Sequence, residues 1–173
     1  MDVLEAIRRR RSVRRYEPRE VEDEKLHLLL EAARLAPSAD NRQPWRFIVV
    51  KSREVKERLF KAHGKAWLVE APVIIVGCAV PSEAWRRRDG EEYWKVDVAI
   101  AMEHIALAAT SLGLATCWVA SFNEEGVKEA LGLPGEVRVV ALMSVGYPAE
   151  LKGEVSDRRS LDEITCLDRW CWR

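Results

Sequence analysis

Eight residues near the amino terminus concentrate positive charge: Arg8-Arg9-Arg10-Arg11-Ser12-Val13-Arg14-Arg15 holds six arginines and one hydroxyl. Guanidinium groups this dense repel one another unless an anion lies among them. Each presents a planar fork of N–H donors that meets a phosphate in bidentate fashion, and Ser12 adds a hydroxyl donor to the same oxygens. The chemistry this pattern predicts is a phosphate seat; the alternative is a solvated basic run. A second stretch, Pro37-Ser38-Ala39-Asp40-Asn41-Arg42-Gln43-Pro44-Trp45, sets amide and hydroxyl side chains on a turn between two prolines. Asn41 and Gln43 supply both donors and acceptors, as the pyrimidine edge of a flavin requires. An ordinary helix–strand connection with Asx-turn residues is the alternative there.

Other chemistries lack their residues. No Gly-x-Ser-x-Gly elbow is present, and none of His27, His63 and His104 stands beside a plausible Ser or Cys nucleophile. The carboxylate pairs Glu91-Glu92 and Glu124-Glu125 lie in charged segments that read as solvated faces. Neither a G-x-G-x-x-G turn nor a Walker loop occurs, so any reactive group is expected to come from a cofactor, and no side chain is nominated as catalytic. Cys78, Cys117, Cys166 and Cys171 fit no metal spacing, and no metal site is expected. Cys166 and Cys171 are close enough to pair, but the expected reducing compartment favours free thiols. Basic and acidic residues balance at 28 each, which argues against nucleic acid as a partner and makes the arginine cluster a local feature. No apolar run is long enough to span a bilayer, and the expectation is a cytoplasmic chain with no membrane partner.

The elements that must hold these stretches follow from periodicity. Leu26, Leu29, Leu30 and Ala33 repeat at helical spacing over 22–35, and a charged helix is expected over 54–63. Residues 72–80 form a near-continuous apolar run that predicts a strand covered on both faces. Residues 93–112 predict the longest helix, central or interfacial, with Gly113 as its cap. Further strands are expected over 46–51, 115–120 and 137–145, with a helix from Asn123 to Leu131. Residues 82–92 predict a surface loop or short helix serving as a substrate cover. The 173 residues, 48% of them apolar, suffice for one domain, α+β in class: a three-layer α-β-α sandwich around a mixed, mainly antiparallel sheet. Residues 149–173 predict an arm, and its Trp170 and Trp172 favour packing on a partner subunit.

Together the two stretches resemble the FMN-dependent nitroreductase family. The resemblance continues through Glu70-Ala71-Pro72-Val73-Ile74-Ile75-Val76, the long helix with Asp97, and Leu112-Gly113-Leu114-Ala115-Thr116-Cys117-Trp118. It extends through Leu131-Gly132-Leu133-Pro134, Val145-Gly146-Tyr147-Pro148 and Arg158-Arg159-Ser160-Leu161-Asp162-Glu163-Ile164, and so covers nearly the whole chain in order. Ala120, Ser156 and Ser160 depart from the residues usual at those places. The resemblance implies a homodimer with an FMN at each of two interface sites, every site built from both chains. Arg10, Ser12 and Arg14 would take the phosphate and ribityl chain, with Arg11 contributing at least its backbone and Arg158 returning from the arm. Pro37, Ser38, Asn41 and Gln43 of the partner would face the isoalloxazine. Lys65 would be a polar flavin contact, and Trp118, Val119 and Ala120 would lay backbone against the ring. The implied activity is a ping-pong transfer: NADH or NADPH delivers hydride to flavin N5, and a nitroaromatic, quinone or similar small-molecule acceptor is then reduced. The alternatives are a specialised flavin relative, such as a reduced-flavin oxidase, dehalogenase or enoate reductase, or a non-enzymatic binding module using the basic arm.

Overall fold

The apolar run expected over 72–80 becomes β2 of the sheet, and every residue of Val73–Ala79 is buried. Such a strand needs cover on both sides, and the chain supplies it. The computed structural model describes residues 1–150, 152–153 and 155–172. In chain order these form α1 (Val3–Arg9), α2 (Asp23–Arg34), β1 (Trp45–Val50), α3 (Arg53–His63), α4 (Ala66–Glu70) and β2, followed by α5 (Trp94–Ser111), β3 (Ala115–Val119), α6 (Glu124–Leu131), β4 (Arg138–Gly146) and α7 (Leu161–Ile164). The strand order is β1-β2-β4-β3, and all three pairings are antiparallel. The parallel component of the expected mixed sheet is one bridge, Ser12 to Thr116.

Alternation along β2 and β4 divides the core into two. Val73, Ile75, Ala141, Met143 and Val145 meet α2 and α5 on one face. Ile74, Val76, Cys78, Val139 and Leu142 meet Leu59 of α3, Leu68 of α4 and Val127 of α6 on the other. These are the three layers expected. A register shift at Gly77 and Cys78 leaves Val140 without an opposite residue, which is why Val139 and Leu142 share a face three positions apart. Gly77 also lets α5 approach closely: a Cβ there would lie 2.9 Å from the Met102 sulfur.

Helix ends follow local rules. Asp2, Ser52 and Asn123 cap α1, α3 and α6 through their side chains. Gly64 and Gly132 adopt φ of 65° after α3 and α6, the left-handed stop that glycine permits.

Residues 81–93, expected over 82–92 as a surface loop or short helix, form a short helical turn at Pro81–Glu83 and then a loop closed by one bridge between Arg86 and Glu92, braced by an edge-to-face contact of Trp85 and Tyr93 at 5.1 Å. The structure differs from expectation in two places. The short helices α4 and α7 carry too few periodic positions for sequence reading, although Ser160 and Glu163 form a capping box. The expectation of free thiols at Cys166 and Cys171 is also overturned. A turn with Asp168 at φ 63° brings their Cα atoms to 5.8 Å, and the sulfurs are bonded. Leu151, Glu154 and Arg173 of the expected arm lie outside the described residues. Among the described residues, no helix is long and apolar enough to cross a membrane.

Candidate functional site

The arginine stretch leaves the end of α1, where Arg8 and Arg9 complement the negative end of the helix. It is then sewn to the outer edge of β3. The Val13 N–H donates to the Thr116 carbonyl at 3.0 Å. Tyr16 O–H donates to the Val13 carbonyl at 2.7 Å and lies 2.6 Å from Ser144 Oγ, beneath the same segment. Burial pushes the Tyr16 phenol well above its ordinary range, so it remains a neutral donor. Cys117, also underneath, is a buried thiol that desolvation pushes up, against the pull of Arg14.

Above this base the chain folds back. Arg10, Arg11, Ser12, Arg14, Lys152, Val155, Ser156, Asp157 and Arg158 line one polar cleft of about 310 Å³. Lys152 Nζ donates to the Ser12 carbonyl at 2.7 Å, and Arg11 donates to the Gly153 carbonyl. Arg10 reaches Glu103 of α5 at 3.7 Å, and Arg14 sits 5.7 Å from the ring centre of Trp67. Among the described residues, Arg11, Arg14 and Arg158 have no carboxylate partner within ion-pair distance, so the cleft keeps a surplus of positive charge. Lys152 and Trp67 were not foreseen. A single lysine or tryptophan carries no spacing signal, and the fold alone brings Lys152 into the cleft and Trp67 beside Arg14.

The second stretch is built differently. After Ser38 the backbone enters the left-handed region at Asp40, Asn41 and Gln43, with φ of 53°, 52° and 50°. Local hydrogen bonds hold this shape. Ser38 Oγ accepts the Gln43 N–H at 2.9 Å, and Gln43 Nε2 donates to the Asn41 carbonyl and Oδ1, each at 3.1 Å. Asn41 and Gln43 remain exposed, and Pro37 opens the turn on the surface. None of residues 37–43 lines the arginine cleft, so one chain does not bring the two stretches together there.

Lys65 stands half-buried between α3 and α4, with its ammonium on two backbone carbonyls, Ser121 at 2.8 Å and His63 at 3.1 Å. It therefore fastens the chain just past the end of β3, where Trp118 is exposed, Val119 buried and Ala120 exposed. The Lys65 N–H donates to His63 Nδ1 at 2.9 Å, while the buried His63 Nε2 has no partner among the described residues. Burial, then the Lys65 charge, lowers the His63 pKa from 6.5 to about 4.

Chemically, the cleft is a polycationic concavity suited to a phosphate, the turn is a rigid row of donors and acceptors, and neither holds an acid–base pair. Comparison with known proteins agrees in scale with nearly the whole chain. The nitroreductase family profile matches residues 7–73 and 63–147. A protein of Methanothermobacter thermautotrophicus with the provisional name NADH dehydrogenase/NAD(P)H nitroreductase is 39% identical over 175 residues, covering 98% of this chain and 88% of that one. The crystal structure of a nitroreductase family protein from Clostridium difficile 630 superposes with a TM-score of 0.92 at 34% identity, covering 98% of this chain and all of the other. An FMN-dependent nitroreductase from Clostridium difficile R20291 superposes with a TM-score of 0.84 at 31% identity, over 96% of this chain and 99% of that one.

Proposed function

The chain belongs to the nitroreductase family, and we propose that it works as a cytoplasmic homodimer whose two FMN sites each join the arginine cleft of one copy to the Ser38–Gln43 turn of the other. It is an FMN-dependent oxidoreductase using NADH or NADPH. The observation that carries this reading is the cleft itself, in which Arg10, Arg11, Ser12, Arg14 and Arg158 converge from chain segments more than a hundred residues apart. Their donors fit a phosphate dianion, and their uncompensated charge is otherwise unfavourable.

Each residue has a binding or orienting task. Arg10, Arg14 and Arg158 neutralise the phosphate of FMN, and Ser12, Arg11 and Lys152 hold the edge of its seat. Ser38, Asn41 and Gln43 offer alternating donors and acceptors to the isoalloxazine edge, with Pro37 setting the entry to their turn. Lys65 anchors Ser121, just past Trp118, Val119 and Ala120, whose backbone would face the ring. The chemistry that bound FMN supplies is two-electron transfer from the nicotinamide nucleotide to an electron-poor acceptor, a nitroaromatic or quinone. No proton-transferring side chain is required for that step, and N–H groups near the ring stabilise charge that develops there. The braced segment 81–93 is the cover over the acceptor.

Two features support the second copy. The exposed apolar side chains Val3, Leu4 and Ile7 of α1, and Leu161, Ile164, Leu167 and Trp170 of the carboxy-terminal arm, form the surface a partner would bury. Residues 149–173 therefore act as an arm on the single FMN-binding domain formed by 1–173. The cytoplasm is where the nicotinamide donor is supplied. Titration of the apoprotein with FMN, read by the visible flavin spectrum and by sedimentation, tests the reading. A coloured dimer that oxidises NADH or NADPH in the presence of a quinone is expected; a monomer with no affinity for FMN overturns it.

A further inference from the structure

Asp97 lies in the first turn of α5 and is 1% exposed. One carboxylate oxygen accepts the Ala39 N–H at 2.9 Å; the other is buried and, among the described residues, has no partner. A half-satisfied buried carboxylate is unfavourable, and removing either partner of its bond leaves a desolvated group behind. Burial accordingly pushes its pKa above the usual carboxylate range. Among the described residues, this is the only hydrogen bond that joins residues 37–43 to another element; every other one closes within the turn. The turn that it holds contains three non-glycine residues in the left-handed region, a conformation that persists only when its surroundings over-determine it. Six residues further along the same helix, Glu103 pairs with Arg10, so α5 steadies a residue of each stretch.

We propose that Asp97 is the positioning residue of the flavin-facing turn, holding Ala39 against α5 so that Ser38, Asn41 and Gln43 present their polar groups in a single arrangement. This rests on the FMN reading above. The residue touches neither cofactor nor substrate and acts through the backbone of Ala39. Its charge is secondary to its role as an acceptor, since the N–H needs only an oxygen at that place.

Four variants test the assignment by FMN titration, the flavin absorption spectrum and the midpoint potential. Asp97→Ala removes the acceptor. Ala39→Pro removes the donor without entering the core: Ser38 already has the extended φ of −136° and ψ of 157° that precede proline well, and Ala39 is the first residue of a helical turn. Asp97→Asn keeps an acceptor oxygen. Val98→Ala opens a cavity on the adjacent buried side chain of α5 and serves as the control for stability loss alone. Asp97→Ala and Ala39→Pro should each weaken FMN binding by about tenfold and shift the spectrum and potential. Asp97→Asn should stay within about threefold of the natural chain, and Val98→Ala should lower Tm with no change in spectrum or potential. If Asp97→Ala does not fold, Ala39→Pro and Asp97→Asn decide the matter. Natural affinity, spectrum and potential in Ala39→Pro overturn the proposal. Should the natural chain take up no FMN, the cofactor reading falls as well; should Arg10→Ala release FMN while Asp97→Ala and Ala39→Pro do not, only the positioning role falls.

Discussion

The arginine cleft and the Ser38–Gln43 turn solve opposite problems with opposite means. The cleft gathers like charges from the segment after α1 and from the carboxy-terminal arm and leaves them underneutralised, with Arg10 3.7 Å from Glu103. The turn carries its polar groups in closed hydrogen bonds, Ser38 to Gln43 and Gln43 to Asn41, with one tie to the helix behind. A cluster of repelling guanidiniums is completed only by its anion, so it supplies affinity and long reach. A turn that is satisfied beforehand needs no reordering when a ring edge arrives, so it supplies orientation. On the proposed reading, the difference places strength and direction of FMN binding in separate segments of this chain, which should respond to separate perturbations.

The strongest break of that contrast is the double substitution Arg10→Ala with Arg14→Ala. Charge-assisted contacts contribute ~1.5–3 kcal/mol each, so FMN affinity should fall by about a hundredfold or more while Tm moves little. In salt of about 1 M, where screening shortens to ~3 Å, the natural chain should lose much of its advantage over this variant. An equal gap in affinity at low and high salt breaks the charge account.

Acid provides a second separation, because it acts on the scaffold beside the site while the guanidiniums stay charged. Folded His63 stays neutral down to about pH 4, whereas in the unfolded chain it takes a proton near its ordinary 6.5. The unfolded state therefore binds the extra proton, and stability should decline as pH falls from 6.5 towards 4. Thermal unfolding followed across that window checks this, and His63→Gln should flatten His63's part of the decline.

Within the turn, effects should be smaller and insensitive to salt. Ser38→Ala deletes the acceptor for the Gln43 N–H and should lower stability by ~1 kcal/mol and shift the flavin spectrum, measured by thermal melts and absorption. Asn41→Gly is the finest test. Glycine accepts the φ of 52° without strain, so Tm should hold within ~0.5 kcal/mol while FMN affinity drops severalfold. If stability falls and affinity does not, Asn41 is a turn residue only.

Much of this molecule was legible from the order of its residues. The unbroken apolar run at 73–79 could only be a strand covered on both faces, and the helical repeat of Leu26, Leu29 and Ala33 could only present one face to a core. The density of arginine around Ser12 marked a local surplus of positive charge, because like charges at adjacent positions are unfavourable wherever the chain goes, and the structure places Arg10, Arg11 and Arg14 in one polar cleft. These are local or periodic properties, and periodicity is written in sequence. What the tertiary structure alone decided depends on contacts between distant segments: Lys152 on the Ser12 carbonyl, Lys65 on the Ser121 carbonyl, and Trp67 beside Arg14. The buried carboxylate of Asp97 behind Ala39 belongs to the same class, whereas the pairing of Cys166 and Cys171 was offered by their spacing and decided only by the turn between them. No spacing rule marks such residues, because their meeting is set by how helices and strands stack, and that is decided by the summed packing of the core rather than by any one stretch of chain.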